Sequence, residues 1–306
     1  MITYTSLASR PQLFKNFTGL SVQAVSDLLP TFTASYQLDL DKRDQTRAQP
    51  RQRIRGGGQK GVLSTMEDKL VFILFYFRQY PTQILQGYLF GMGQPQANEW
   101  IHRLTGVLNA TLGCQQQLPA RKTKDLKAVL SSCPGLEFII DGAERPIRRP
   151  KDPSKQKEKY SGKKKRHTVK NNVLTDKRTG KIKGLSPTVN GKKHDKKLAD
   201  EQEIPFPRRS RLWQDTGFQG YDPDNVTVHQ PKKKPWGRDL TEEERDNNRQ
   251  ISRERIGVEH SIGGVKVFNI VQHIFRNIKH GYDDTVMEIA CGLHNLRIDY
   301  RNSITQ

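Results

Sequence analysis

The apolar and polar positions near the start of the chain predict one short helix. Pro30 should end this helix, because proline lacks the backbone N–H and its ring clashes with the preceding turn. The stretch that follows is rich in charge and finishes in a basic, glycine-rich segment at 51–58, which is typical of a flexible linker. The helix is indicated by apolar residues at helical spacing: Leu20, Val25, Leu28 and Leu29.

Residues 61–118 carry a stronger helical pattern. Ser64 and Glu67 have the spacing of a capping box, directly before a long apolar run. A proline and a glycine-rich turn should divide the region into three helices, over about 64–79, 82–90 and 95–112.

Three helices with a short glycine-containing turn before the last are typical of a helix-turn-helix DNA-binding module. An ordinary helical bundle is the alternative interpretation. In the DNA-binding interpretation, the third helix would read DNA through exposed polar side chains: Gln94, Gln96, Asn98 and Arg103.

The pattern changes to short strands after Pro119. Two apolar strands are predicted to stop just before Asp141 and Asp215. A capping box at Thr241 and Glu244 starts a long polar helix that should reach about Ile262. The remaining predicted elements are a hairpin over 166–174 and 182–189, a short helix at 195–203, a strand at 225–228 and a final helix over 283–301.

The charge of the chain indicates which class of molecule it binds. The 306 residues include 52 Lys and Arg against 32 Asp and Glu, for a net charge of +20. Residues 145–197 alone hold 20 Lys and Arg against 4 Asp and Glu, a net +16. This clustering favours a track for DNA or RNA over a merely solvated surface, because phosphate binding needs grouped cations.

Several classes of protein are excluded by the same composition. The apolar run Val71–Phe77, even with the adjoining Leu70, is far shorter than the roughly 20 residues that span a bilayer. The first ten residues lack the pattern of a signal peptide, and three cysteines do not suggest a disulfide framework. We therefore expect a soluble, reduced, cytoplasmic protein that associates with the nucleoid.

Three acidic residues are the candidates for chemistry. Asp141 and Asp215 each end an apolar strand and lie close to a glycine, although a single Asp in that position is usually only a turn cap. Glu259 shares a helix face with Arg255 and Lys266, although a Glu four residues after an Arg is usually a surface ion pair. The neighbouring His260 should point about 100° away from that face.

Four motifs in order resemble one family. They are DGAERPIRRP at 141–150, YSGKKKRHT at 160–168, QDTGFQG at 214–220, and Arg255 followed after three residues by Glu259. Together they look like a DDE transposase of a bacterial insertion sequence, in the IS-five-like branch, over about residues 64–301. The family's Tyr-Arg-Glu-Lys signature maps onto Arg255, Glu259 and Lys266, but its Tyr position falls on Ser252 here.

The resemblance implies a fold and a site. The fold would be α/β (α+β), with a ribonuclease-H-like catalytic core and an N-terminal all-helical helix-turn-helix region. Asp141, Asp215 and Glu259 would be the catalytic residues and the metal ligands, holding two Mg²⁺ (or Mn²⁺) ions per active site. Glu144 is the rival third acid. The predicted domains are 1–60, a helix and basic linker; 61–118, DNA binding; and 119–306, catalysis.

The expected activity is DNA transposition. The enzyme would bind transposon terminal repeats, cleave them by two-metal hydrolysis and join the 3′-hydroxyl ends to target DNA, as a homodimer or larger assembly. The alternatives are a domesticated, non-catalytic DNA-binding protein and a nuclease of the same fold. Beside the third-helix residues, the predicted DNA contacts are Lys163, Lys164, Lys165, Arg166, Arg255 and Lys266.

Overall fold

The computed structural model describes residues 1–49 and 61–302. The chain divides into two compact units. The first comprises Met1–Leu118, Val267–Ile270 and Asp299–Gln306, and the second comprises Pro119–Lys266 and Val271–Ile298. The predicted linker at 51–58 lies outside the described residues.

The first unit is built from helices. They are α1 (Tyr4–Ala8), α2 (Pro11–Thr18), α3 (Val22–Gln45), α4 (Met66–Gln79), α5 (Gln83–Phe90) and α6 (Gln94–Cys114). The prediction of one helix ending at Pro30 is wrong, since α3 continues through Pro30 to Gln45. Burial explains the continuation: Phe32 and Ser35, beyond the proline, lie in the core, and their packing offsets the lost hydrogen bond.

The helices of residues 61–118 follow the predicted pattern closely. Thr82 caps α5, α4 ends at Gln79, and a left-handed Gly91 ends α5. The cap of α4 is one residue later than predicted, because the Thr65 side chain, not that of Ser64, accepts from the Asp68 N–H. Phenylalanine rings from α4 and α5 meet edge to face in the core, and none of the helices in the described residues is long and apolar enough to cross a membrane.

The second unit is built on a mixed sheet. Over the described residues its strands are β1 (Glu137–Pro146), β2 (Tyr160–Ser161), β3 (Arg166–Asp176), β4 (Ile182–Leu185), β5 (Val189–Asn190), β6 (Ser210–Gln214) and β7 (Val226–His229). The strand order is β2-β3-β1-β6-β7, with β4 and β5 also paired to β3. β1 is antiparallel to β3 but parallel to β6, and β6 is parallel to β7.

Six further helices precede the strands, lie between them or follow them. They are α7 (Thr123–Ser131), α8 (Pro153–Lys159), α9 (Asp195–Gln202), α10 (Glu242–Lys266), α11 (Asn269–Gln272) and α12 (Tyr282–Asn302). The predicted capping box of α10 is confirmed: Thr241 Oγ1 accepts from the Glu244 N–H, and the Glu244 carboxylate accepts from the Thr241 N–H. α10 continues past the predicted end at Ile262 to Lys266. The mixed α/β class with a helical N-terminal region is therefore observed.

Asp141 does not end its strand, contrary to the prediction. β1 continues to Pro146 because β3 pairs with it from Phe138 to Pro146, including Asp141 opposite Val173. The other neighbour of β1 is shorter: β6 ends at Gln214, opposite Ile140. Asp141 is therefore paired with β3 on one side, whereas β6 no longer pairs with it on the other.

Candidate active site

Strand register brings Asp141 and Asp215 side by side. Because Ile140 pairs with Gln214 in parallel strands, the aspartates that directly follow these two residues lie next to each other. The Asp141 Oδ1 atom accepts a hydrogen bond from the Gly142 N–H at 2.8 Å. The Asp215 Oδ1 atom accepts from the Thr216 N–H at 2.6 Å and caps a short 3₁₀ turn. Local hydrogen bonds therefore orient both carboxylates.

A single guanidinium faces both carboxylates. Arg255 on α10 lies with Nη2 at 3.9 Å from Asp141 Oδ1 and Nη1 at 3.8 Å from Asp215 Oδ1. Its side chain is only 12% exposed, so solvent screens its charge weakly. The predicted DNA contact of Arg255 stays a prediction, since in this structure the side chain contacts the two aspartates.

Glu259 lies on the same cavity as the two aspartates. The cavity has a volume of 820 Å³, and α10 contributes Arg255, Glu259 and Lys266 to its lining, as their shared helix face predicts. Among the described residues, however, no three His, Cys, Asp or Glu side chains are grouped closely enough to hold a metal ion. The three acids therefore line one cavity, but as described they do not form a metal-binding cluster.

Two polar residues of the cavity were not anticipated from the sequence. Lys170 Nζ lies 3.0 Å from Asp195 Oδ1, and both side chains line the cavity. Asp195 also lies against the glycines that follow the two aspartates: a Cβ atom at Gly142 would approach Asp195 Oδ1 to 2.9 Å, and one at Gly217 would approach Oδ2 to 3.2 Å. No sequence pattern could reveal this placement, because Asp195 begins α9, on an element remote in sequence from the three acids.

Burial and charge perturb the ionisable groups of the cavity. Burial raises the pKa of Asp141, and the nearby charges of Asp215 and Asp195 add to that rise, while the Gly142 N–H and Arg255 oppose it. Burial also lowers the pKa of Lys266, and the charge of Lys164 lowers it further. Both shifts disfavour the charged forms, which is the expected result of placing these groups in a partly closed space.

The predicted cationic residues divide into two groups. Lys163 and Lys164 line the cavity together with Lys266, whereas Lys165 and Arg166 are exposed beside it. Glu144, the rival third acid, also lines the cavity, and its Oε1 accepts a hydrogen bond from Thr168 Oγ1 at 2.6 Å.

Arg145, in the first of the four motifs, has a buried structural position. Its Nη2 donates to Asn171 Oδ1 and its Nη1 to the Asp283 carbonyl, each at 2.8 Å. Burial lowers the pKa of Arg145 to about 10. The motif therefore contributes both a cavity acid and a cation that ties β1 to β3 and to the start of α12.

The predicted reading residues of α6 are only partly exposed. Gln94 and Gln96 are exposed, and Gln83 links Gln94 to Asn98 through hydrogen bonds of 2.7 and 2.8 Å. The expected exposure of Arg103 is wrong. Its Nε lies 2.8 Å from Asp39 Oδ2, and its guanidinium lies over the rings of Tyr36 and Trp100, so its side chain is 14% exposed.

Two segments of the chain match known protein families. Residues 140–295, more than half of the chain, match the family described as "DDE superfamily endonuclease". The chain belongs to this family. Residues 62–114 match the "Helix-turn-helix of DDE superfamily endonuclease". The IS-five-like branch stays a prediction.

Two individual proteins are similar over most of the chain. A probable transposase for insertion sequence element IS702 from Microchaete diplosiphon is 27% identical over 287 residues, which cover 93% of this chain and 94% of that protein. The cryo-EM structure of a piggyBac transposase synaptic complex with hairpin DNA aligns with a TM-score of 0.42 at 11% identity, over 96% of this chain and 75% of that one.

Proposed function

We propose that this DDE endonuclease is a DNA transposase that cuts transposon ends and joins their 3′-hydroxyl groups to target DNA. The observation that carries the proposal is the position of Asp141 and Asp215, which directly follow the paired residues Ile140 and Gln214 of two parallel strands and line one cavity with Glu259. The match to the family and the similarity to an insertion-sequence transposase support it.

The donor set suits a hard divalent cation. Two carboxylates already face a common positive group, Arg255, and a third carboxylate, Glu259, borders the same cavity. We assign these three acids as ligands of two Mg²⁺ (or Mn²⁺) ions, since such ions prefer carboxylate and water oxygens. When bound, the ions would activate the attacking oxygen and stabilise the leaving oxygen of a phosphodiester.

The protein's own residues would prepare that chemistry. Arg255 lies close to both Asp141 and Asp215 and offsets the repulsion between the two carboxylates. Lys163, Lys164 and Lys266 line the cavity and can hold the phosphates of the strand to be cut. Because burial raises the pKa of Asp141, a nearby cation would favour its charged form.

The helical unit would recognise the transposon ends. We propose that Gln94, Gln96 and Asn98 at the start of α6 contact DNA there, in the manner of a recognition helix. Because transposition handles two ends together, the active form would be a homodimer or larger assembly on DNA.

A Mg²⁺-dependent nicking assay on supercoiled plasmid tests the catalytic assignment. Asp141→Asn, Asp215→Asn and Glu259→Gln should each lower the nicking rate at least 100-fold, because each removes a charged ligand. Asp224→Asn, an exposed acid outside the cavity, is the matched control and should nick at the wild-type rate. Nicking that persists in the three cavity variants would refute the assignment.

Two other functions predict different results. A nuclease of the same fold would nick DNA without joining ends, so recovery of joined products from a donor and a target plasmid favours transposition over it. A domesticated DNA-binding protein would bind DNA without Mg²⁺-dependent nicking, although the three acids are all present.

A further inference from the structure

A second cationic groove lies in the catalytic unit, outside the cavity of the three acids. It has a volume of 1040 Å³ and is bordered by the end of β1, by α8 and by the loop before α12. Three cations come from the loop after β1, two from α8 and one from the loop before α12: Arg148, Arg149, Lys151, Lys155, Lys159 and Lys279.

The cations of this groove are not neutralised by the protein's own acids. In the part of the chain that the structure describes, none of the six is ion-paired with a carboxylate, although Lys155 lies near Asp152. The two acids that border the groove have other cationic neighbours: Asp284 pairs with Arg121 at 2.6 Å, and Asp283 interacts with Arg145. The groove therefore presents an excess of positive charge to solvent.

The clustered positive charges of the groove repel one another unless an anion binds among them. Lys155 and Lys159 are four residues apart on α8, so their like charges share one helix face, and their repulsion destabilises the helix. The helix is nevertheless secured, since Asp152 Oδ1 accepts from the Ser154 N–H at 2.8 Å. Both lysines of this helix line the groove.

The loop opposite α8 carries an apolar tip. Phe275 is 6% exposed and its N–H donates to the Pro146 carbonyl at 2.9 Å, which anchors the loop at the end of β1. Three residues later, Ile278 lines the groove and is 94% exposed. An apolar side chain among cations suits the groove of a nucleic acid duplex, where apolar residues contact sugars and base steps, better than it suits a small solvated anion.

We propose that this groove binds the backbone of the DNA duplex that is being cut, at a distance from the scissile phosphate. The same strand connects the two places: Ile147 follows Asp141 by six residues, which is about 20 Å of extended chain. That length equals about six base pairs at about 3.4 Å per pair. A duplex held in the cavity therefore extends far enough to reach the groove. The inference rests on the proposed function for the location of the cut.

Salt dependence of DNA binding tests the groove itself. The full chain, its Lys155→Ala/Lys159→Ala variant and a Lys124→Ala/Lys127→Ala control would be titrated with a mixed-sequence duplex of 30 base pairs at several salt concentrations. The control removes the same charge from exposed positions on α7. The groove variant should lower the log–log slope by about 1.8 relative to wild type, since each phosphate contact contributes about 0.9. Equal slopes for the two variants would overturn the proposal.

Duplex length tests the claim that one duplex spans both places. In the nicking assay, wild type should lower its KM when the duplex beyond the nick is lengthened from about 4 to about 12 base pairs, because only the longer one reaches the groove. The Lys155→Ala/Lys159→Ala variant should lose that gain while keeping kcat, and a full gain would refute a shared duplex. Absence of nicking in wild type would refute the proposed function alone, because the salt slope needs no cutting.

Discussion

Two adjacent glycines near the end of α10 should respond to alanine in opposite directions. Gly263 is exposed, and a Cβ atom built there meets no atom within 4 Å. A Cβ atom at Gly264 would lie 2.5 Å from His294 Cε1 and closer still to Nδ1. His294 is 4% exposed and its Nε2 lies 3.2 Å from the Gly180 carbonyl oxygen, so the ring has little room to retreat.

Two effects determine how far each alanine substitution changes the free energy of unfolding. Replacing glycine by alanine inside a helix stabilises it by about 0.5–1 kcal/mol, and this term is common to both sites. Forcing a methyl group into a packed contact costs about 1–3 kcal/mol, and only Gly264→Ala suffers it. Gly263→Ala should therefore be more stable than wild type, and the two variants should differ by about 1–3 kcal/mol in the free energy of unfolding.

Urea and thermal denaturation measure this difference. For a unit of this size, about 1 kcal/mol moves the thermal midpoint by about 2–4 °C, so the variants should separate by at least about 2 °C. His294→Ala supplies the internal control: in that background Gly264→Ala should lose most of its cost, because the opposing ring is gone. Equal midpoints for the two glycine variants would show that the contact between α10 and α12 is looser than described.

Four other substitutions have defined outcomes. Arg255→Ala should destabilise the metal-free protein by about 1 kcal/mol and enlarge the rise in thermal midpoint on adding Mg²⁺, since two partly buried carboxylates lose their cation; an unchanged Mg²⁺ response would contradict this. Because burial raises the pKa of Asp141 above 3.8, its charge costs stability above the raised pKa and not below 3.8. Metal-free Asp141→Asn should therefore unfold at a higher temperature than wild type at pH 7 but not at pH 3, and a lower midpoint at pH 7 would reverse the argument. Arg145→Ala should cost about 2–5 kcal/mol in urea denaturation, from lost volume and from hydrogen-bonding groups left unpaired; a loss below 1 kcal/mol would not fit its burial. Ile278→Ser should weaken duplex binding about two- to tenfold in the titrations without changing the salt slope, because it removes an apolar contact and no charge.

Local signals in the sequence were sufficient where a few neighbouring residues decide the structure. The capping box of Thr241 and Glu244 is an example, because side chain and backbone within four residues determine it. The end of β6 just before Asp215 is another, since the aspartate caps the turn that stops the strand. The shared face of Arg255 and Glu259 follows from helix geometry alone.

Tertiary contacts decided the features that the sequence did not reveal. β1 passes Asp141 because β3 pairs with it, which no pattern within residues 136–141 encodes. α3 continues past Pro30 because residues beyond it are buried. Arg103 is a basic residue on the helix that was expected to contact DNA. In the structure it forms an ion pair with Asp39, from a distant part of the chain. The Lys170–Asp195 pair likewise joins two segments 25 residues apart.

The order of elements along the chain has a consequence for synthesis on the ribosome. Both aspartates emerge before α10, and the Asn295 side chain, which bonds both the N–H and the carbonyl of Ile182 at the edge of β4, emerges later still. On the proposed mechanism, any product that stops short of α10 has two of its three acids and an uncovered sheet edge. Prematurely terminated chains would therefore retain the DNA-binding helices but would be unable to cut DNA.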